Sequence, residues 1–99
     1  MNVSFDDLHK AFENRVRLGI MSALAVNDSL DFTSLKEFLN VTDGNLATHI
    51  KKLEQEGFVA VEKSFIDNKP NTSYSMTPEG KKAFNEHLNV LEQIIKSQQ

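Results

Sequence analysis

The stretch from Thr42 to Phe65, TDGNLATHIKKLEQEGFVAVEKSF, changes its apolar period half-way along. Thr42 is an N-cap residue type, and the segment from Asp43 to about Glu56 carries Leu46, Ile50 and Leu53 at spacings of four and three. That spacing predicts a helix with one buried stripe, ended by Gly57 in a left-handed conformation. From Phe58 the period is two: Val59, Val61, Lys63 and Phe65 share one face, and Phe58, Ala60, Glu62 and Ser64 the other. This predicts a strand. With the leucine stripe turned inward, the helix points Gly44, Asn45, Thr48, Lys51, Lys52 and Gln55 outward, with His49 on the flank. No large apolar side chain lies among them.

Upstream, Ser4 followed by Asp6 and Asp7 reads as a helix start, with Phe5, Leu8 and Phe12 on one face. Asn14 re-caps a second helix whose Val16, Leu18, Ile20, Met21, Leu24 and Ala25 surround most of its circumference, as suits the centre of a core. Asn27-Asp28-Ser29 is a turn, Leu30-Asp31-Phe32 a stub of strand, and Thr33 a cap for a short helix bearing Leu35, Phe38 and Leu39, closed by Asn40-Val41. Downstream, Asp67 to Asn71 predicts a polar, extended hairpin tip, and Thr72, Tyr74 and Met76 a returning strand. Thr77-Pro78-Glu79 starts a last helix with Phe84, Leu88, Leu91 and Ile95 in line, widened by Val90 and Ile94. The order is α-α-(β)-α-α-β-β-α, mainly α with a small β-hairpin, as one domain over residues 1–99.

Two short helices followed at once by a hairpin are the layout of a winged helix-turn-helix, with residues 33–56 as the helix pair and 58–76 as the wing. A B-DNA major groove about 12 Å wide admits one helix, and a hairpin tip can reach the neighbouring minor groove or phosphates. Asn45, Thr48 and His49 have the chemistry to read bases. Thr33, Lys36, Thr42, Gly44, Lys51, Lys52, Lys63 and Lys69 form the expected backbone set.

Composition bounds the rest. Ninety-nine residues hold 11 Lys plus Arg against 14 Asp plus Glu, net −3, which excludes nucleic-acid binding by bulk positive charge and leaves a local basic strip open. Residues 42–77 carry four Lys against five acids, so that segment is −1. Three phosphates per protomer, met by Lys36, Lys52 and Lys69, would give a dimer roughly a thousandfold loss of affinity between 50 and 200 mM salt. There is no cysteine, so disulfides, thiolate zinc sites and thiol nucleophiles are excluded. His9, His49 and His87 show no compact metal-ligand spacing, and no nucleophile elbow or phosphate loop is present, so neither a metal, a cofactor nor an enzyme is expected. No apolar run nears the ~18–20 residues of a membrane span, and the acidic first residues differ from a secretory signal, so the default is a cytoplasmic protein.

The Thr42–Phe65 stretch resembles the recognition helix and wing strand of winged-helix transcriptional regulators related to the MarR-like and ArsR-like groups. Their run T-D-G-N-L-x-x-H-L-x-K-L-E-x-x-G-[FY]-[VI] is matched almost throughout, with Ile50 in place of Leu. The likeness continues through Arg17-Leu18 and Ile20-Met21 upstream, and through Lys69-Pro70, Thr72, Tyr74 and Thr77-Pro78-Glu79-Gly80 downstream. It departs at the wing tip, Asp67-Asn68-Lys69-Pro70-Asn71, where the family is commonly richer in Arg. The resemblance implies a DNA-binding regulator assembled as a homodimer through its terminal helices. It also implies that Arg17 either approaches the DNA backbone or pairs with an acid inside the fold.

The apolar stripes of the terminal helices, residues 1–14 and 78–99, bear on the same point. Phe5, Leu8, Phe12, Phe84, Leu88, Leu91 and Ile95 either fold back onto their own chain or form a two-fold interface, and the second is preferred. Phe12, Met21 and Met76 serve either as core or as lining for a small-molecule effector. The sequence therefore predicts a homodimeric, sequence-specific double-stranded DNA-binding regulator, acting as a repressor on a pseudo-palindromic operator. The alternative is a winged-helix protein-interaction module without specific DNA binding, favoured by the acidic charge.

Overall fold

A computed structural model describes residues 3–98. Four helices and a small sheet follow one another: α1 (Arg15–Ala25), β1 (Leu30–Asp31), α2 (Phe32–Leu39), α3 (Asp43–Gln55), β2 (Val59–Ile66), β3 (Lys69–Met76) and α4 (Pro78–Ser97). The sheet is antiparallel in the order β1-β3-β2. Leu30 of the stub lies opposite Tyr74, and Val59 and Val61 lie opposite Met76 and Tyr74. These residues, with Ile20, Met21 and Leu24 of α1, Leu35 of α2 and Leu46, Ile50 and Leu53 of α3, make one core. The helix-turn-helix and wing expected from the sequence are present.

Local chemistry sets the element ends. Asn14 caps α1 by accepting from the Val16 and Arg17 N–H groups, and Thr42 caps α3 by accepting from the Asn45 N–H. Asn40 closes α2 in the left-handed region, φ 54°. Gly57, at φ 79°, reverses the chain after α3, so that the Phe58 N–H bonds back to the Leu53 carbonyl. Thr77 caps α4 through the Gly80 N–H and donates its own hydroxyl to the Gly57 carbonyl, tying the start of α4 to the end of α3.

Three expectations are corrected. The first helix is absent: residues 5–7 and 10–12 form two separate 3₁₀ turns. Ser4 and Asp7 do build a capping box, but the backbone turns extended at Leu8 and His9. A helix this short is marginal alone, and here tertiary partners claim its groups. The His9 N–H donates to His87 of α4, and the His9 ring accepts from the Ala11 N–H. Phe12 is drawn among Phe58, Phe84 and His87. Secondly, α2 is capped by Asp31 and not by Thr33: the Asp31 carboxylate accepts from the Ser34 N–H at 2.7 Å, which holds its pKa below the usual value. Thirdly, the hairpin tip is tight. Ile66 pairs with Lys69 across a two-residue turn of Asp67 and Asn68, both at positive φ (53° and 65°), the backbone of a type I′ turn.

Gly80 sits where α4 crosses the start of β2. A Cβ there would lie 2.2 Å from the Phe58 carbonyl oxygen, which is backbone and cannot step aside. Gly80→Ala gains about 1 kcal/mol of helix propensity but meets an overpacking cost at the top of the ~1–3 kcal/mol range. A net loss of about 2 kcal/mol is expected in urea unfolding, and an unchanged or higher midpoint would contradict this packing.

Candidate nucleic-acid interface

Burial of Leu46, Ile50 and Leu53, each no more than 2% exposed, fixes the rotation of α3 about its axis. The opposite side is left in solvent: Asn45, Thr48, Lys51, Lys52 and Gln55 are all exposed. Thr42 and Gly44 are exposed at the helix start, where free N–H groups and the helix dipole favour an anion. The Thr48 hydroxyl donates to the Gly44 carbonyl at 2.9 Å, so its remaining lone pairs and methyl group face outward. Beside α3 stands the wing, with Lys63 and Lys69 exposed along it. The helix and wing sets named from the sequence thus lie on accessible surface, and Thr33 is exposed on the first turn of α2.

The lysines differ in their surroundings. Lys36 reaches Asp43 at 2.8 Å, joining α2 to the start of α3, and Lys52 reaches Glu56 at 3.5 Å within α3. Both pairs are largely solvated, so each holds its lysine weakly. Among the described residues Lys51, Lys63 and Lys69 have no carboxylate within salt-bridge distance.

Of the two roles implied by resemblance, Arg17 does not take the pairing with an acid inside the fold. Its Nε donates to the Ala11 carbonyl at 2.7 Å and one Nη lies 3.0 Å from His49 Nδ1. Among the described residues it pairs with no acid, and two of its three side-chain nitrogens are engaged inside the chain. His49 is consequently half-buried against α1, and it was Arg17 that sequence reasoning could not connect to it: the residues are 32 positions apart and no periodicity links them.

The apolar residues of the chain ends divide. Phe12 and Phe84, expected at a dimer interface, are 2% and 4% exposed in the protomer's own core, because the chain before α1 folds back against β2 and α4. Phe5, Leu88 and Ile95 are 75%, 43% and 60% exposed, and Leu8 and Leu91 are partly exposed. Met21 is wholly buried core, and of the three residues considered for an effector only Met76 lines an open pocket, about 400 Å³, with Leu24, Asn27, Lys81 and Phe84.

The profile described as a winged helix DNA-binding domain matches residues 16–95 of this chain. The chain belongs to that family. An uncharacterized protein of Methanocaldococcus jannaschii is 40% identical over 88 residues, which is 89% of this chain and 96% of the other. A transcriptional regulator homologue from Pyrococcus horikoshii OT3 superposes with a TM-score of 0.82 at 33% identity, over 88% of this chain and 86% of that one. The fold is shared with a MarR-family regulator from Enterococcus faecalis V583, with a TM-score of 0.74 at 23% identity over 88% and 77% of the two chains. Winged-helix architecture is therefore established, with the wing following the helix pair. No helix among the described residues is long and apolar enough to cross a membrane.

His87 is 6% exposed, and its pKa is held below the ordinary histidine value by burial first and by His9 second, with Glu13 opposing. His49 is lowered by burial first and Arg17 second. Because both folded pKa values lie below the unfolded one, near 6.5, the unfolded chain takes up protons first on acidification. The stabilisation is therefore complete above about pH 6.5 and is lost as pH falls below it. Urea midpoints should fall between pH 7 and pH 5. His87→Asn, which keeps an acceptor but cannot be protonated, should flatten that fall, and an unchanged profile would refute the assignment.

Proposed function

We propose that the protein is a homodimeric transcriptional regulator that binds double-stranded DNA sequence-specifically, laying α3 in the major groove and acting as a repressor by occupying a pseudo-palindromic operator. The observation that carries this reading is the exposed polar side of α3, fixed outward by the burial of Leu46, Ile50 and Leu53 and flanked by the wing. Asn45 and Thr48 read base edges: an Asn amide can pair with adenine at two points, and a Thr can bond a base or touch a thymine methyl. Lys51, Lys63 and Lys69, with Thr33 and the N–H groups after Thr42, meet phosphates. Lys36 and Lys52 join them by exchanging Asp43 and Glu56 for the backbone.

The two-fold assembly is supported by shape and exposure. The chain measures 54 × 25 × 21 Å with a radius of gyration of 15.0 Å, against about 13 Å for a compact domain of this size. All buried residues of α4 (Gly80, Phe84 and His87) lie in its first half. The second half, with Leu88, Leu91, Ile94 and Ile95, holds no buried residue and suits a self-complementary interface. The rival reading, a protein-interaction module, has in its favour the exposed Val26 and Phe38 beside an apolar hollow and the −1 charge of residues 42–77.

Gel retardation on the DNA upstream of the protein's own coding sequence separates the two. Specific retardation is expected, weakened about 5- to 150-fold by Asn45→Ala, the ~1–3 kcal/mol of a two-point base contact. Absence of retardation at low salt would favour the rival. Lys69→Ala should lower the slope of log affinity against log salt by about one per protomer. Leu91→Asp should sediment as a monomer in analytical ultracentrifugation, and a persisting dimer would place the interface elsewhere.

A further inference from the structure

Every nitrogen of an arginine is a donor and none accepts. At 3.0 Å from an Arg17 Nη, His49 Nδ1 must therefore be the acceptor, and a neutral ring that accepts at Nδ1 carries its proton on Nε2. Arg17 is itself held: its Nε donates to the Ala11 carbonyl at 2.7 Å, and the Asn14 cap that begins α1 accepts from its N–H at 3.1 Å. The guanidinium is thus oriented by the chain before the imidazole is reached. The second ring nitrogen of His49 makes no hydrogen bond among the described residues. No buried side-chain nitrogen or oxygen there lacks a partner, so Nε2 is open to solvent. His49 itself stands on the flank of the α3 face that carries Asn45 and Thr48.

We propose that Arg17 is a positioning residue that locks His49 into the Nε2–H form, so that His49 meets DNA as a hydrogen-bond donor only and selects a base-edge acceptor: purine N7, guanine O6 or thymine O4. The consequence is a one-sided specificity. An unconstrained neutral imidazole can present either a donor or an acceptor, whereas the locked ring disfavours the amino groups of cytosine and adenine, where two donors would face each other. Burial and the Arg17 charge both oppose a proton on Nδ1, which keeps the ring in this state at pH 7. The inference rests on the DNA-binding reading above for its target, but not for the state of the ring.

Two measurements test it. On the free, ¹⁵N-labelled full-length protein at pH 7, long-range ¹H–¹⁵N correlations should show His49 with Nδ1 bare and Nε2 protonated. In Arg17→Leu, and less completely in Arg17→Lys, the ring should shift toward a mixture of forms. A proton on Nδ1 of the wild-type ring, or a ring indifferent to both substitutions, overturns the proposal. The second measurement uses an operator obtained by selection from random DNA and its single-base variants. Arg17→Leu and His49→Phe should each lose about tenfold discrimination at the same position of each half-site, with the salt slope unchanged. A slope reduced by about one in Arg17→Leu, with discrimination intact, would make Arg17 a phosphate contact and overturn the proposal. If the wild type retards no DNA at low salt, the regulator reading fails separately, because the ring's state is read without DNA.

Discussion

The burial of three side chains, Leu46, Ile50 and Leu53, is the constraint on which the rest of the molecule depends. Each is almost wholly removed from water against α1 and the sheet, and truncating one such residue to alanine typically costs about 2–5 kcal/mol. Their four-three spacing leaves α3 a single orientation about its own axis. The polar residues on the other side are then presented outward by the rotation of the helix itself. The helix ends sharpen that placement: Thr42 fixes where α3 begins, and Gly57 turns the chain straight into β2, so helix and wing are set by adjoining covalent geometry.

A second layer of order is polar. Arg17 bridges the Ala11 carbonyl and His49, and the Ala11 N–H in turn donates to His9, whose own N–H donates to His87 on α4. All three histidines of the chain therefore act as acceptors through Nδ1, in settings packed by Phe12 and Phe58 or by α1. Neutral histidines suit this arrangement because an imidazolium cannot accept. A short segment that would be a frayed helix in isolation becomes a strap between the first half of α4 and the start of α1.

Electrostatics bear on function differently from packing. A protein of net −3 with a −1 interface segment cannot attract DNA from a distance as a basic protein does. In the proposed regulator, discrimination then comes from matched groups at short range, with a few solvated lysines as the phosphate contacts. The ion pairs of Lys36 with Asp43 and Lys52 with Glu56 are exposed enough to be exchanged for phosphate at small cost. The apolar side chains of the second half of α4 and the polar residues of α3 and the wing are different sets, so the two interfaces proposed for the molecule do not compete for residues.

What the sequence determined by itself is what depends on local period and local caps. The helix pair, the wing, the capping by Asn14, Thr42 and Thr77 and the outward face of α3 all follow from spacing within a dozen residues. So does the family, through a motif densest in Thr42–Phe65 and continued on either side of it. What only the tertiary structure decided is where residues distant in the chain compete for one group. Phe5, Leu8 and Phe12 have helical spacing, yet His87, 78 residues beyond His9, takes a backbone N–H and the core takes Phe12, so the helix gives way to two turns. Phe84 has the same spacing as Leu88 and Leu91 but is buried, because Phe12 of the strap packs edge-on against it, whereas Leu88 is left exposed. The Arg17–His49 bond belongs to the same class. Periodicity tells which side of a helix is apolar; which neighbour a polar group meets there depends on long-range closure of the chain, and no local pattern encodes it.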